Sequence, residues 1–212
     1  MSEKYDDMIS LDRLPTGIHG FDQIAHGGIP QNRTTLIGGT AGSAKTLFAL
    51  QFLCNGVEKY GDNGVLVTFE EAPRDLVRNV ESLGWNLASL IDSGKIAVVD
   101  ASPVPGEATV EAGKYDLSAL IARVRFAVEK VSAKRVILDS VGALFPQLVD
   151  AQIVRRELHR LVIGLREMGV TSLITAERAL EDGPVARYDV EEFVADNVML
   201  LRNRQENERR RR

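Results

Sequence analysis

From Gly39 the chain reads G-T-A-G-S-A-K-T, ending at Thr46. A glycine-rich turn between a strand and a helix aims successive backbone N–H groups at one point. The positive end of the helix faces the same way, so polyphosphate oxygens are the natural ligand. In such a loop Lys45 adds a point charge to the β- and γ-phosphates, and the Thr46 hydroxyl is a ligand for Mg2+. The pattern G-x-x-x-x-G-K-[S/T] is broken at a single fixed position, where Ala44 replaces the last glycine. Alanine keeps the N–H donor. If the backbone there needs positive φ, its methyl costs about 1–2 kcal/mol, less than several charge-assisted phosphate contacts return.

Hydrolysis of a nucleotide also needs a carboxylate to orient the metal and a base for the attacking water. "RVILDS" puts Asp139 directly after buried-type residues, at the end of a strand neighbouring the loop. "VLVTFEE" ends another strand in Glu70 and Glu71, whose side chains point to opposite sides. One of the pair can face the γ-phosphate and accept or orient a proton there, while the other faces a neighbouring element or subunit.

These groups are positioned by short β-branched runs alternating with helical patterns. The expected strands are 34–38, 65–69, 96–100, 135–139, 171–175 and 197–201, and the expected helices 45–60, 73–83, 116–132 and 151–168. Continuous apolar strands separated by helices predict an α/β fold with a mostly parallel central sheet covered on both faces. In 151–168 the residues Ile153, Val154, Leu158, Leu161, Val162, Leu165 and Met168 form one apolar stripe at spacings of three and four. Pro73 fits a first helical turn, Asp116 a cap, and 101–114 a Pro/Gly-rich loop.

With 212 residues and 44% hydrophobic content the chain is expected to form one domain. Apolar runs fall short of the ~18 residues that span a bilayer, and "MSEKYDD" does not resemble a signal peptide, so a cytoplasmic location is expected. A net charge of −4 makes nucleic acid an unlikely partner. The single cysteine, Cys54, excludes a disulfide framework and reads as a buried small residue. His19, His26 and His159 lack metal-ligand spacing and read as structural or surface residues.

The order of these parts resembles the RecA-type ATPases. The segments "TGIHGFDQIAHGGIP", "VTFEEAPRDLVRNVESLGW", "YDLSALI" and "TAERALEDGPVARYDVEEFVADNVMLLRN" narrow the likeness to the first of two ATPase domains in the KaiC family of circadian clock proteins, from about Leu14 to Arg212. The resemblance implies a RecA-like P-loop domain over 14–202, between a tail at 1–13 and a charged segment at 203–212. It implies that Thr40, Ala41, Gly42, Ser43, Ala44, Lys45, Thr46 and Leu47 hold ATP, with Ser82 near the nucleotide. Glu70 and Glu71 match the family's paired catalytic glutamates and Asp139 its Walker-B acid, which shares Mg2+ with Thr46.

It further implies a homohexamer with ATP between subunits, slow hydrolysis, and docking of a KaiB-like protein on this domain. A KaiA-like protein would act through a second, serine/threonine autokinase domain. That domain accepts phosphate on an adjacent Ser-Thr pair, where this chain has Glu192 and Phe193, so this domain is not expected to be the acceptor. The chain ends at "ERRRR", where the family continues into a strand bearing a lysine and an arginine that reach a neighbour's phosphates. A longer parent protein, and ATP bound better than hydrolysed by this segment alone, are the expectations that follow.

Two other readings share this core. A RecA- or RadA-like recombinase or helicase would hold DNA on the loops after "RVILD" and "TSLIT", but the second loop here is acidic. A purely structural ring module would follow if Ala44 had ended catalysis.

Overall fold

The computed structural model describes residues 12–102, 117–143, 151–178 and 194–203. The expected Asp116 cap, most of the 101–114 loop, Glu192 with Phe193, and the arginine-rich end lie outside the described residues.

A short antiparallel pair, β1 (Arg13–Leu14) and β2 (Ile29–Pro30), brackets α1 (Phe21–Ile24). The central sheet follows: β3 (Thr34–Gly39), β4 (Gly64–Thr68), β5 (Ile96–Asp100), β6 (Arg135–Asp139), β7 (Thr171–Glu177) and β8 (Asn197–Leu201). Its helices are α2 (Lys45–Tyr60), α3 (Pro73–Glu81), α4 (Leu87–Asp92), α5 (Ser118–Val131) and α6 (Ala151–Glu167). The six strands run in the order β5-β4-β6-β7-β3-β8, and each neighbouring pair is parallel.

Side-chain alternation sorts each strand between two cores. On one face Ile37, Leu66, Ile137 and Leu173 meet Leu50, Phe52 and Leu53 of α2, together with Leu76 and Val80 of α3. On the other, Val65, Val67, Val136 and Ile174 meet Val124 and Val128 of α5 and Leu158, Leu161 and Leu165 of α6. The α6 stripe is therefore packed as its periodicity predicts, with Ile153 and Met168 at its half-buried margins. Residues such as Val65, Leu138 and Leu165 are wholly buried, and each contributes about 1.5–3 kcal/mol of transfer free energy.

After β3 the chain crosses β7 and β6 to enter the sheet at β4, and the crossing helix α2 packs on β6 and β7. Its N-terminus consequently lies over the carboxyl ends of β3, β7 and β6, where parallel α/β sheets hold their ligands. This corrects one expectation, because β6 does not neighbour β3. Strand β7 lies between them.

Cys54 is buried in the α2 core, and burial pushes its thiol up to about 12. The three histidines are exposed, and among the described residues no group of His, Cys, Asp and Glu could hold a metal by itself. No helix among the described residues is long and apolar enough to cross a membrane.

Candidate functional site

The loop between β3 and α2 alternates in handedness. Gly42 has φ 75° and Ala44 φ 67°, ψ 26°, the left-handed region that favours glycine. Residues alternating between the two hands form a concave row of N–H groups, a nest suited to an anion. Ala44 is the residue capping α2, and its carbonyl accepts the Phe48 N–H at 2.9 Å, so the strained alanine begins the helix. The positive φ foreseen as the cost of alanine here is present.

Gly39 admits no side chain. A Cβ there would stand 2.3 Å from Ser43 Oγ and 2.9 Å from the Leu201 carbonyl. Ser43 Oγ itself is buried with no hydrogen-bond partner among the described residues. A buried hydroxyl left unpaired in this loop fits a polyphosphate ligand, whose oxygens would satisfy it.

Lys45 Nζ donates to the Gly39 carbonyl at 2.8 Å and to the Thr40 carbonyl at 2.9 Å. Burial pushes the ammonium down from its usual value, and the carboxylates of Glu177, Asp139 and Glu70 oppose that shift. One residue on, Thr46 Oγ1 donates to both Asp139 oxygens, at 3.1 and 2.9 Å. Asp139 is 7% exposed, and it also accepts a hydrogen bond from the Thr175 hydroxyl of β7. The side chains of the loop helix and of β6 therefore meet across the intervening strand. A hydroxyl and a carboxylate side by side are the hard oxygen ligands that Mg2+ takes, with its remaining positions left to phosphate and water.

Glu70 and Glu71 lie just past β4, in a bend rather than on the strand itself. Glu70 nevertheless stays near the loop, within electrostatic reach of Lys45 and Asp139. Burial, then Asp139, Glu177 and Glu71, push its carboxyl up, and Lys45 opposes them. Glu71 diverges: its carboxylate accepts from Asn79 Nδ2 of α3 at 3.3 Å, and its backbone carbonyl from the Thr68 hydroxyl at 2.6 Å.

A cavity of about 490 Å³ opens beside the loop. Leu47, Leu50, Leu76 and Leu83 form its apolar wall, and Glu71, Asn79 and Ser82 its polar rim. Ser82 Oγ donates to the Asn79 carbonyl at 3.1 Å. The fold thus assembles Gly42, Ala44, Lys45, Thr46, Leu47, Glu71 and Ser82 around one cavity, with Asp139 joined to it through Thr46. Thr40 belongs to the lysine's carbonyl pair, and Ala41 is exposed at the loop's tip.

Two residues at this site were not foreseen. Thr175 and Glu177 end β7, where Thr175 interrupts the apolar run of "TSLITAE". A polar residue late in a buried parallel strand was the available signal. Its meaning depends on β7 lying between β3 and β6.

Comparison with known proteins gives a concordant picture. The family model described as "ATPase: KaiC" matches residues 14–212. A circadian clock oscillator protein KaiC of Thermostichus vulcanus is 56% identical over 202 residues, covering 95% of this chain and 39% of the relative. The KaiC of Synechococcus elongatus is 52% identical over 203 residues (96% of this chain, 39% of the relative), and that of Prochlorococcus marinus 51% over 204 (96% and 41%). The chain thus spans about two fifths of the length of the curated relatives it matches. A match running through the phosphate-type loop, the Glu70–Glu71 bend and β6 to the last residue, at more than half identity, means that the chain belongs to the KaiC family of ATPases.

Proposed function

We propose that this chain binds Mg-ATP in the loop at the head of α2 and hydrolyses it slowly, as the first ATPase domain of a KaiC-type clock protein. The observation that carries this reading is the meeting of Thr46 and Asp139 beneath the nest, beside Lys45. The backbone N–H groups of residues 42–47 and the positive end of α2 receive the β- and γ-phosphates. Lys45 exchanges its carbonyl acceptors for phosphate oxygens, and Ser43 Oγ gains the acceptor it lacks. Thr46 and Asp139 hold Mg2+, which supplies charge neutralisation at the phosphates when bound.

Glu70, near the loop and with its carboxyl pushed up, orients the attacking water and accepts its proton. Glu71 and Ser82 line the open rim, where ATP would meet the next subunit of a homohexamer. On this reading nucleotide state governs ring assembly and the docking of a KaiB-like partner. Kinase chemistry and any KaiA-like partner would belong to a second domain of the parent protein. Most of the two loops on which a recombinase would hold DNA lies outside the described residues, and the acidic sequence of the second is what weighs against that reading.

The test is ATP turnover by the chain in its full natural length, wild type against Lys45→Ala and Glu70→Gln. Slow release of phosphate by the wild type, with both variants at background, is expected. Equal rates in all of them would support the structural-module reading instead.

A further inference from the structure

Strand β7 carries a carboxylate that the hydrolysis scheme above does not use. Alternation along β7 puts Leu173, Thr175 and Glu177 on the α2 face: Leu173 packs with Leu50 and Phe52, and Thr175 reaches Asp139. Glu177 is the next residue on that face and stands in register with Gly39 of the loop strand. The Gly39 carbonyl accepts two donors at that level, the Arg178 N–H at 3.0 Å and Lys45 Nζ at 2.8 Å. The Glu177 backbone is therefore fixed, through the pairing of β7 with β3, beside the residue whose carbonyl the lysine reaches.

We propose that Glu177 is a positioning residue that acts through Lys45 and sets how tightly the site holds a nucleoside triphosphate relative to a diphosphate. The inference rests on the reading that Mg-ATP occupies the loop. Lys45 Nζ sits on the carbonyl of Gly39, the residue paired with Glu177, and the charges of Glu177, Asp139 and Glu70 all act on it there. The Glu177 charge favours the ammonium where it now rests, on the Gly39 and Thr40 carbonyls at the inner end of the loop. A γ-phosphate adds its charge at that inner end, whereas a diphosphate leaves it free. Glu177 therefore competes with the γ-phosphate for Lys45 and repels it, and both effects weaken the triphosphate more than the diphosphate.

Glu177 is exposed, so substituting it opens no gap in the core. Calorimetric titration with Mg-ATP and with Mg-ADP of the wild type, Glu177→Gln, Glu177→Lys, Glu177→Asp and Lys45→Ala separates the possibilities. The Gln variant is expected to shift the ATP:ADP affinity ratio toward ATP by roughly three- to tenfold, and the Lys variant further still. The Asp variant should keep the wild-type ratio to within about twofold, and 0.5 M added salt should compress the whole series, on the order expected for screened charges. A structural role would not order the variants by charge. A ratio unchanged in both Gln and Lys variants, with the wild type binding normally and Lys45→Ala impaired, overturns the role of Glu177 alone. No binding by the wild type, or full binding by Lys45→Ala, overturns the reading of the site and this inference with it.

Discussion

Ala44 holds a conformation, φ 67° and ψ 26°, that costs an alanine about 1–2 kcal/mol relative to glycine. Glycine would relieve that strain but raise the entropy of the unfolded chain by about 0.4–1 kcal/mol. Ala44→Gly should therefore be neutral to about 1 kcal/mol stabilising by denaturant unfolding, with Mg-ATP affinity undiminished; a clear loss of stability would show that the methyl makes a contact of its own. Glu70 gives a second test at this scale. Its carboxyl is pushed up by burial and by neighbouring carboxylates, so the folded chain binds the proton more tightly than the unfolded chain does. Stability must then fall as pH rises through the window that begins near the ordinary value of 4.5. Glu70→Gln, which cannot ionise, should melt above the wild type at pH 7, and the gap should close below the ordinary glutamate range. A gap that persists or widens in acid would contradict the assignment.

Among the elements, β7 and α2 decide whether there is a site at all. Placing β7 between β3 and β6 brings Thr175 against Asp139, while α2 carries Thr46 across to the same carboxylate. The other end of α2 is fastened by Arg135 at the start of β6, wholly buried, which donates to Asp62 at 2.8 and 3.2 Å and to the Phe52 carbonyl at 3.1 Å. Its guanidinium lies over the Phe52 ring, 4.6 Å from the centroid, and fills the space beside Gly56, where a Cβ would come within 2.5 Å of it. Burial works against the Asp62 charge, but hydrogen bonds from Arg135 and Lys134 outweigh it and hold the carboxyl below its usual range. Asp62→Ala would strand a buried guanidinium, so a loss of about 3–5 kcal/mol in urea unfolding is expected. A loss below ~1 kcal/mol would mean that Arg135 finds another partner.

The strands β3 to β8 and the helices α2, α3, α5 and α6 were legible because each is long enough for its periodicity to repeat. The β1–β2 pair, α1 and α4 were not, being short elements ordered by what they pack against. Strand order was not legible either, since a five-residue apolar run says that it is buried and not beside whom. For that reason the sequence offers Lys45, Thr46 and Asp139 as candidates through their motifs, whereas Thr175 and Glu177 stand out only through the placement of β7.

On the scale of the whole molecule, the apolar wall and polar rim of the cavity open at the protein's surface beside Glu71 and Ser82. A nucleotide seated on the loop would leave one side exposed, which is the arrangement a ring with shared sites requires. In the proposed function everything downstream rests on one event, the capture of a triphosphate at the head of α2. Titration calorimetry of the purified chain with Mg-ATP, wild type against Lys45→Ala, measures that event directly. Saturable binding that weakens by roughly 10- to 100-fold in the variant is the expected result, in line with the loss of a charge-assisted contact of about 1.5–3 kcal/mol. The contradictory result is an absence of saturable heat in the wild type, or the same affinity in both proteins.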